Sequence, residues 1–235
     1  MRFRDHRVVG DIIELADRYC RSGADEIVFY DITASPEGRT VDRSWVQRVA
    51  AVLDIPFCVA GGIRKVADAE EILNRGADKI SINSPALENP KLISDLARRF
   101  GSQCVTIGVD SLRVDGSWKV YRNTGDSNRI SETTFETTEW IRMAQNLGAG
   151  EVVLNCMNQD GVRNGYDLEQ LAAVDEICDV PLVASGGAGN AHHFRELFES
   201  TQVSAALAAS VFHDNIIEIP GLKKFLAGAS VDVRL

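Results

Sequence analysis

Short apolar runs recur along this chain, each followed by a longer stretch whose apolar residues fall three or four positions apart. The runs Glu26–Asp31, Pro56–Ala60, Lys79–Asn83, Cys104–Asp110, Glu151–Asn155, Pro181–Ser185 and Ser204–Ala208 predict strands. Most are too continuously apolar to alternate, which is the pattern of parallel strands covered on both faces. The intervening stretches predict helices over Val8–Arg21, Asp42–Leu53, Val66–Asn74, Pro90–Phe100, Thr134–Leu147, Asp167–Ile177, Ala191–Phe198 and Ile219–Leu226. In the first of these, Ile12, Leu15, Ala16 and Tyr19 form one stripe that runs into Gly23, a helix stop. Pro90 suits the first turn of its helix, where a missing N–H goes unused.

Strand and helix alternate without a linker, so the pattern predicts one parallel α/β domain over residues 1–235. The segment PFCVAGGI from Pro56 returns as PLVASGGA from Pro181, an offset of 125 residues, and the same offset carries Gly23-Ala24-Asp25-Glu26 onto Gly148-Ala149-Gly150-Glu151. A repeat of that length means two copies of a multi-element unit. Glycine turns recur around the chain instead of forming one fingerprint near its start. That favours a closed (β/α)8 TIM barrel of two half-barrel repeats, approximately 1–103 and 104–235.

Only seven barrel strands are predicted, and the repeat indicates which is lacking. The second half opens on the strand ending at Asp110, whereas the first opens directly on the equivalent helix. The counterpart of Asp110 therefore falls ahead of residue 1, and the first strand is expected to be missing from this chain. One further irregularity is Ser111–Thr124, where Asp115-Gly116 lies between alternating flanks and predicts a β-ribbon inserted after the Cys104–Asp110 strand.

In such barrels the loops after the strands form the active face, so polar residues at strand ends are the ones to weigh. Asp31, Asp110 and Asp160 end or follow strands; three aspartates on one rim, without a histidine cluster, suit general acid–base chemistry better than a metal. Each of them also suits a plain turn or helix cap. Gly61-Gly62 with Asn83-Ser84 in the first half, and Gly186-Gly187 with Ala209-Ser210 in the second, offer backbone N–H groups and hydroxyls near helix starts. That is phosphate-binding chemistry, and two copies suggest a substrate with two phosphates. The glycines also suit plain tight turns. Glu26, Lys79 and Glu151 open strands and so belong to the opposite rim, as a solvated salt bridge or as a charged ring across the barrel floor. The four histidines read as surface or helix-terminal residues.

Composition narrows the classes. The chain is 45% apolar, and no apolar run approaches the length of a membrane span. A formal charge of −9 argues against nucleic acid or an anionic membrane as partner. Five scattered cysteines without a metal-type or CxxC spacing read as buried free thiols of a reducing cytoplasm. No cofactor is expected.

The segments GADEIVFYDITAS (23–35), PFCVAGGIR (56–64), GADKISINSPAL (76–87), NQDGVRNGYD (158–167), PLVASGGAG (181–189) and AALAASVFH (205–213) closely resemble the cyclase subunit family of imidazole glycerol phosphate synthase, in histidine biosynthesis. The resemblance spans essentially the whole chain. It implies a lyase-type cyclase that takes ammonia from a glutaminase partner docked at the N-terminal face of the barrel. The family's bis-phosphorylated ribulosyl aminoimidazole carboxamide ribotide becomes imidazole glycerol phosphate and an aminoimidazole carboxamide ribotide. On this basis Asp110 matches a catalytic aspartate, Asp31 and Asp160 auxiliary carboxylates, Gly62, Asn83 and Ser84 one phosphate site, and Gly161, Gly187 and Ser210 the other. Glu26, Lys79 and Glu151 match three members of an ammonia gate. The family also has a first strand with a second catalytic aspartate; its lack here is expected to reflect a start recorded too far downstream. The alternatives are a truncated, non-catalytic phosphate-binding barrel and the sister phosphoribosyl isomerase of the same pathway.

Overall fold

A computed structural model describes residues 8–32 and 34–235 of the chain. Seven parallel strands form the body of the sheet: β1 (Ile27–Tyr30), β2 (Phe57–Ala60), β3 (Lys79–Ile82), β4 (Val105–Val114), β7 (Glu151–Cys156), β8 (Leu182–Ser185) and β9 (Ala205–Leu207). They pair in the order β1-β2-β3-β4-β7-β8-β9, and among the described residues no strand joins β9 to β1. The result is a parallel sheet curled into a TIM-barrel-like α/β fold, with helices alternating along its outer face.

The helices are α1 (Ile12–Arg21), α2 (Ala34–Glu37), α3 (Val46–Ala50), α4 (Val66–Asn74), α5 (Ser84–Glu88), α6 (Lys91–Phe100), α7 (Thr137–Asn146), α8 (Leu168–Asp175), α9 (Ala191–Ser200), α10 (Ser210–His213) and α11 (Ile219–Gly228). Local chemistry sets several starts. Asp11 accepts from the N–H groups of Ile13 and Glu14 at the head of α1, Asp167 from Gln170 at α8, and Asn190 from His192 and His193 at α9. The core lies between sheet and helices, where Phe57, Ile72, Ile80, Ile107, Trp140 and Phe194 are almost wholly buried.

Several sequence expectations need correction. α1 begins at Ile12 rather than Val8, because the Asp11 cap ends the extended entry. The predicted helix at 42–53 shrinks to Val46–Ala50, Asp42 being used instead in a turn that receives the Ser44 N–H. The helix predicted from Thr134 starts at Thr137, since Ser131–Glu136 is a strand, β6. The inserted ribbon therefore has three strands: β4 runs on to Val114, turns at Asp115-Gly116 into β5 (Ser117–Arg122), and β5 pairs antiparallel with β6. Asp115 and Gly116 both have positive φ, as this hairpin turn requires. All five cysteines are free, but only Cys58 and Cys156 are fully buried. His192 and His193 lie in the first turn of α9 and His213 ends α10; His6 lies outside the described residues.

Candidate active site

Because the strands are parallel, the residues after them share one rim. Asp31 follows β1, Gly62 follows β2, Asn83 and Ser84 follow β3, Asp160 and Gly161 follow β7, Gly187 follows β8 and Ser210 follows β9. Asp110 lies within the long β4, at the point where it leaves the barrel for the ribbon. There it pairs with Asn155 on one side and with Tyr121 of β5 on the other.

Three neutral donors hold the Asp110 carboxyl. Asn155 Nδ2 reaches Oδ1 at 2.8 Å, while Asn83 Nδ2 at 2.8 Å and the Thr124 hydroxyl at 2.6 Å both reach Oδ2. Burial pushes the pKa of Asp110 above the ordinary aspartate value, against these three donors, which favour the ionised form. Asp160 is raised as well, first by burial and then by the negative charge of Asp110. Asp31 is placed differently, since it forms a two-pronged pair with the Arg39 guanidinium at 2.5 and 3.0 Å.

The paired glycines allow backbone to meet backbone. Gly62 has φ +60°, and a Cβ there would lie 1.9 Å from the carbonyl oxygen of Arg39. Gly187 has φ +112°, and its Cβ would lie 2.0 Å from the carbonyl oxygen of Gly165. Each half thus packs the loop after one strand onto the glycine turn after the next. An arginine accompanies each junction: Arg39 in the first half, and Arg163 in the second. Arg163 Nε lies 3.3 Å from Ser210 Oγ and its Nη2 2.5 Å from Asp214 Oδ2.

At the opposite rim, Lys79 Nζ lies 2.7 Å from Glu26 Oε2 and 2.6 Å from Glu151 Oε2, and the Thr106 hydroxyl donates to Glu151 Oε1 at 2.9 Å. Burial opposes the charge on Lys79, but the two carboxylates outweigh it and its pKa is raised. Burial likewise raises that of Glu26 despite the lysine. The three residues therefore meet in one cluster across the base of the barrel.

The sequence did not single out Thr124, Asn155, Arg39 or Arg163. Thr124 and Asn155 touch Asp110 only because the ribbon folds back and because β4 and β7 are neighbours. A signal for Arg163 was present, since it lies inside the quoted NQDGVRNGYD segment. Among the described residues no cluster of three or more His, Cys, Asp or Glu side chains is arranged to hold a metal ion. No described helix is long and apolar enough to cross a membrane.

A model of the family described as histidine biosynthesis protein matches residues 1–218. The chain is similar to the imidazole glycerol phosphate synthase subunit HisF of Aliivibrio salmonicida, with 58% identity covering 100% of this chain and 92% of the relative. The HisF subunits of Serratia proteamaculans and Salmonella arizonae are each 59% identical to it, with the same coverage. The chain belongs to the histidine biosynthesis protein family, among the HisF subunits of imidazole glycerol phosphate synthase.

Proposed function

We propose that this protein is the cyclase subunit of imidazole glycerol phosphate synthase, working in the cytoplasm with a glutaminase subunit docked on the Lys79 face. It adds ammonia to the bis-phosphorylated ribulosyl aminoimidazole carboxamide ribotide and closes the imidazole ring, releasing imidazole glycerol phosphate and an aminoimidazole carboxamide ribotide. The observation that carries this reading is the Asp110 carboxyl, raised in pKa and held by three neutral donors between the two glycine junctions.

Gly62, Asn83 and Ser84 serve one substrate phosphate and Gly161, Gly187 and Ser210 the other. The backbone N–H groups offset the protein's overall negative charge locally. With both ends of the substrate fixed, the reacting atoms lie over the rim between the cradles. Addition of ammonia, elimination and ring closure each move a proton. A carboxyl whose pKa is raised takes up and returns a proton more readily near neutral pH than an ordinary aspartate. Asp160 shares this property, and Asp31, fixed by Arg39, orients its loop. At the base, Lys79 and its two glutamates form a polar entry through which ammonia reaches the interior. That entry favours the cyclase over the sister isomerase, which uses no ammonia.

The test is turnover of the protein with ammonium salt as nitrogen donor. Asp110→Ala is expected to lower kcat by about 10²–10⁴-fold, the usual contribution of a positioned acid or base. Turnover by Asp110→Ala within twofold of the parent would remove Asp110 from the chemistry.

A further inference from the structure

The ribbon brings two adjacent residues back to the barrel mouth, and they contact two different parts of the candidate site. The Asn123 backbone N–H donates to Ser84 Oγ at 2.9 Å, and the Thr124 hydroxyl donates to Asp110 Oδ2 at 2.6 Å. Ser84 is buried, and by accepting from Asn123 it keeps its own hydroxyl proton for another acceptor. The neighbouring Asn83 donates to the same Asp110 Oδ2, while its Oδ1 is buried without a partner among the described residues. A buried acceptor left open in this way has room for a donor from water or from a hydroxyl of a ligand.

This segment has little freedom to adjust. Asn123 has φ +54°, a left-handed conformation, and its carbonyl accepts the Asp126 N–H at 3.1 Å to close a turn. A Cβ on Gly125 would lie 2.0 Å from the Ile32 carbonyl oxygen, so the turn sits directly on the loop after β1. Ser84 and the Thr124 hydroxyl are thus joined through a single peptide link. Among the described residues, two titratable groups sense the charge of Asp110: Asp160 on the loop after β7 and Tyr30 on β1.

We propose that the Asn123–Thr124 step is a positioning element for the reaction: it couples the hydroxyl of Ser84 to the orientation of the Asp110 carboxyl, so that capture of the substrate phosphate sets the proton-transferring group. This rests on the reading of Ser84 as a phosphate ligand and Asp110 as the acid–base group. The coupling itself belongs to the free protein and is measurable without turnover. It also gives the inserted ribbon a purpose that a plain barrel connection would not have.

The test is a carbon-13 NMR titration of the Asp110 carboxyl in the wild-type chain, Thr124→Val, Thr124→Ser, Ser84→Ala and the Thr124→Val/Ser84→Ala double variant. Near-ultraviolet circular dichroism confirms folding of each. Thr124→Val, which loses one donor to the carboxylate, is expected to tighten proton binding at Asp110 about threefold or more, and Thr124→Ser to restore it. Ser84→Ala, though its side chain does not reach Asp110, is expected to move the titration in the same direction. The double variant should move no further than Thr124→Val alone, as expected for residues acting through one chain. If Thr124→Val does not fold, Thr124→Ala, which removes the same hydroxyl without adding bulk, should reproduce its shift. An Asp110 titration unmoved by Ser84→Ala, or additive shifts in the double variant, would overturn the coupling while leaving the cyclase reading to its own kinetic test.

Discussion

The mouth and the base of this barrel both gather carboxyl groups, but they partner them in opposite ways. At the mouth, Asp110 receives two amides and a hydroxyl, all neutral. At the base, Glu26 and Glu151 share one ammonium group from Lys79. Neutral donors leave the protonated and ionised forms of a buried carboxyl close enough in free energy to interchange. A shared cation ties the charged forms to one another. On the proposed reading the mouth exchanges a proton, and the base holds a fixed polar ring.

The largest expected effect follows at the mouth, where Asp110→Asn should cost turnover about as much as Asp110→Ala, near 10²–10⁴-fold, because either removes the exchangeable proton. At the base, Lys79→Met leaves two carboxylates facing each other. Breaking a fully buried pair costs about 3–5 kcal/mol, but these side chains keep 13–29% of their exposure, so about 1–3 kcal/mol is expected in denaturant unfolding. The loss should shrink between pH 7.5 and pH 5, as protonation of a glutamate relieves the repulsion. Lys79→Met is also expected to impair turnover driven by the glutaminase partner more than turnover driven by added ammonium.

A smaller effect concerns pH. The pKa of Asp110 is raised, so the folded state binds its proton more tightly than the unfolded chain does. Its contribution to stability is therefore favourable below the ordinary aspartate value and is lost as pH rises through the folded value. If Asp110 acts first as a base, the acid limb of the kcat profile should fall above pH 3.8, the unperturbed value. An acid limb at or below that value would assign the base to another group.

The barrel was legible because its strands are continuous apolar runs bounded by glycine and because its two halves repeat. The rims were legible too, since a polar residue opening a parallel strand must lie at one end and one closing it at the other. Lys79 with its glutamates followed from that rule. The third strand of the ribbon did not, because Ser131–Glu136 alternates between half-buried and exposed positions and carries one large apolar residue, Phe135. Residues 134–136 read as the first turn of a helix, and 131–133 as no element at all. The donors to Asp110 were hidden for a different reason. Thr124 and Asn155 are unremarkable in sequence, and only the bifurcation of β4, paired with β5 and β7 at once, brings them to one carboxyl.

The contrast between the two ends is tested most directly by following the Asp110 and Glu26 carboxyl carbons together through a pH titration, in wild type and in Lys79→Met. The account predicts that Asp110 titrates above its ordinary value of 3.8 and is unmoved by the substitution, while Glu26 moves further up. An Asp110 midpoint at or below 3.8, or one that follows Lys79 as closely as Glu26 does, would contradict it.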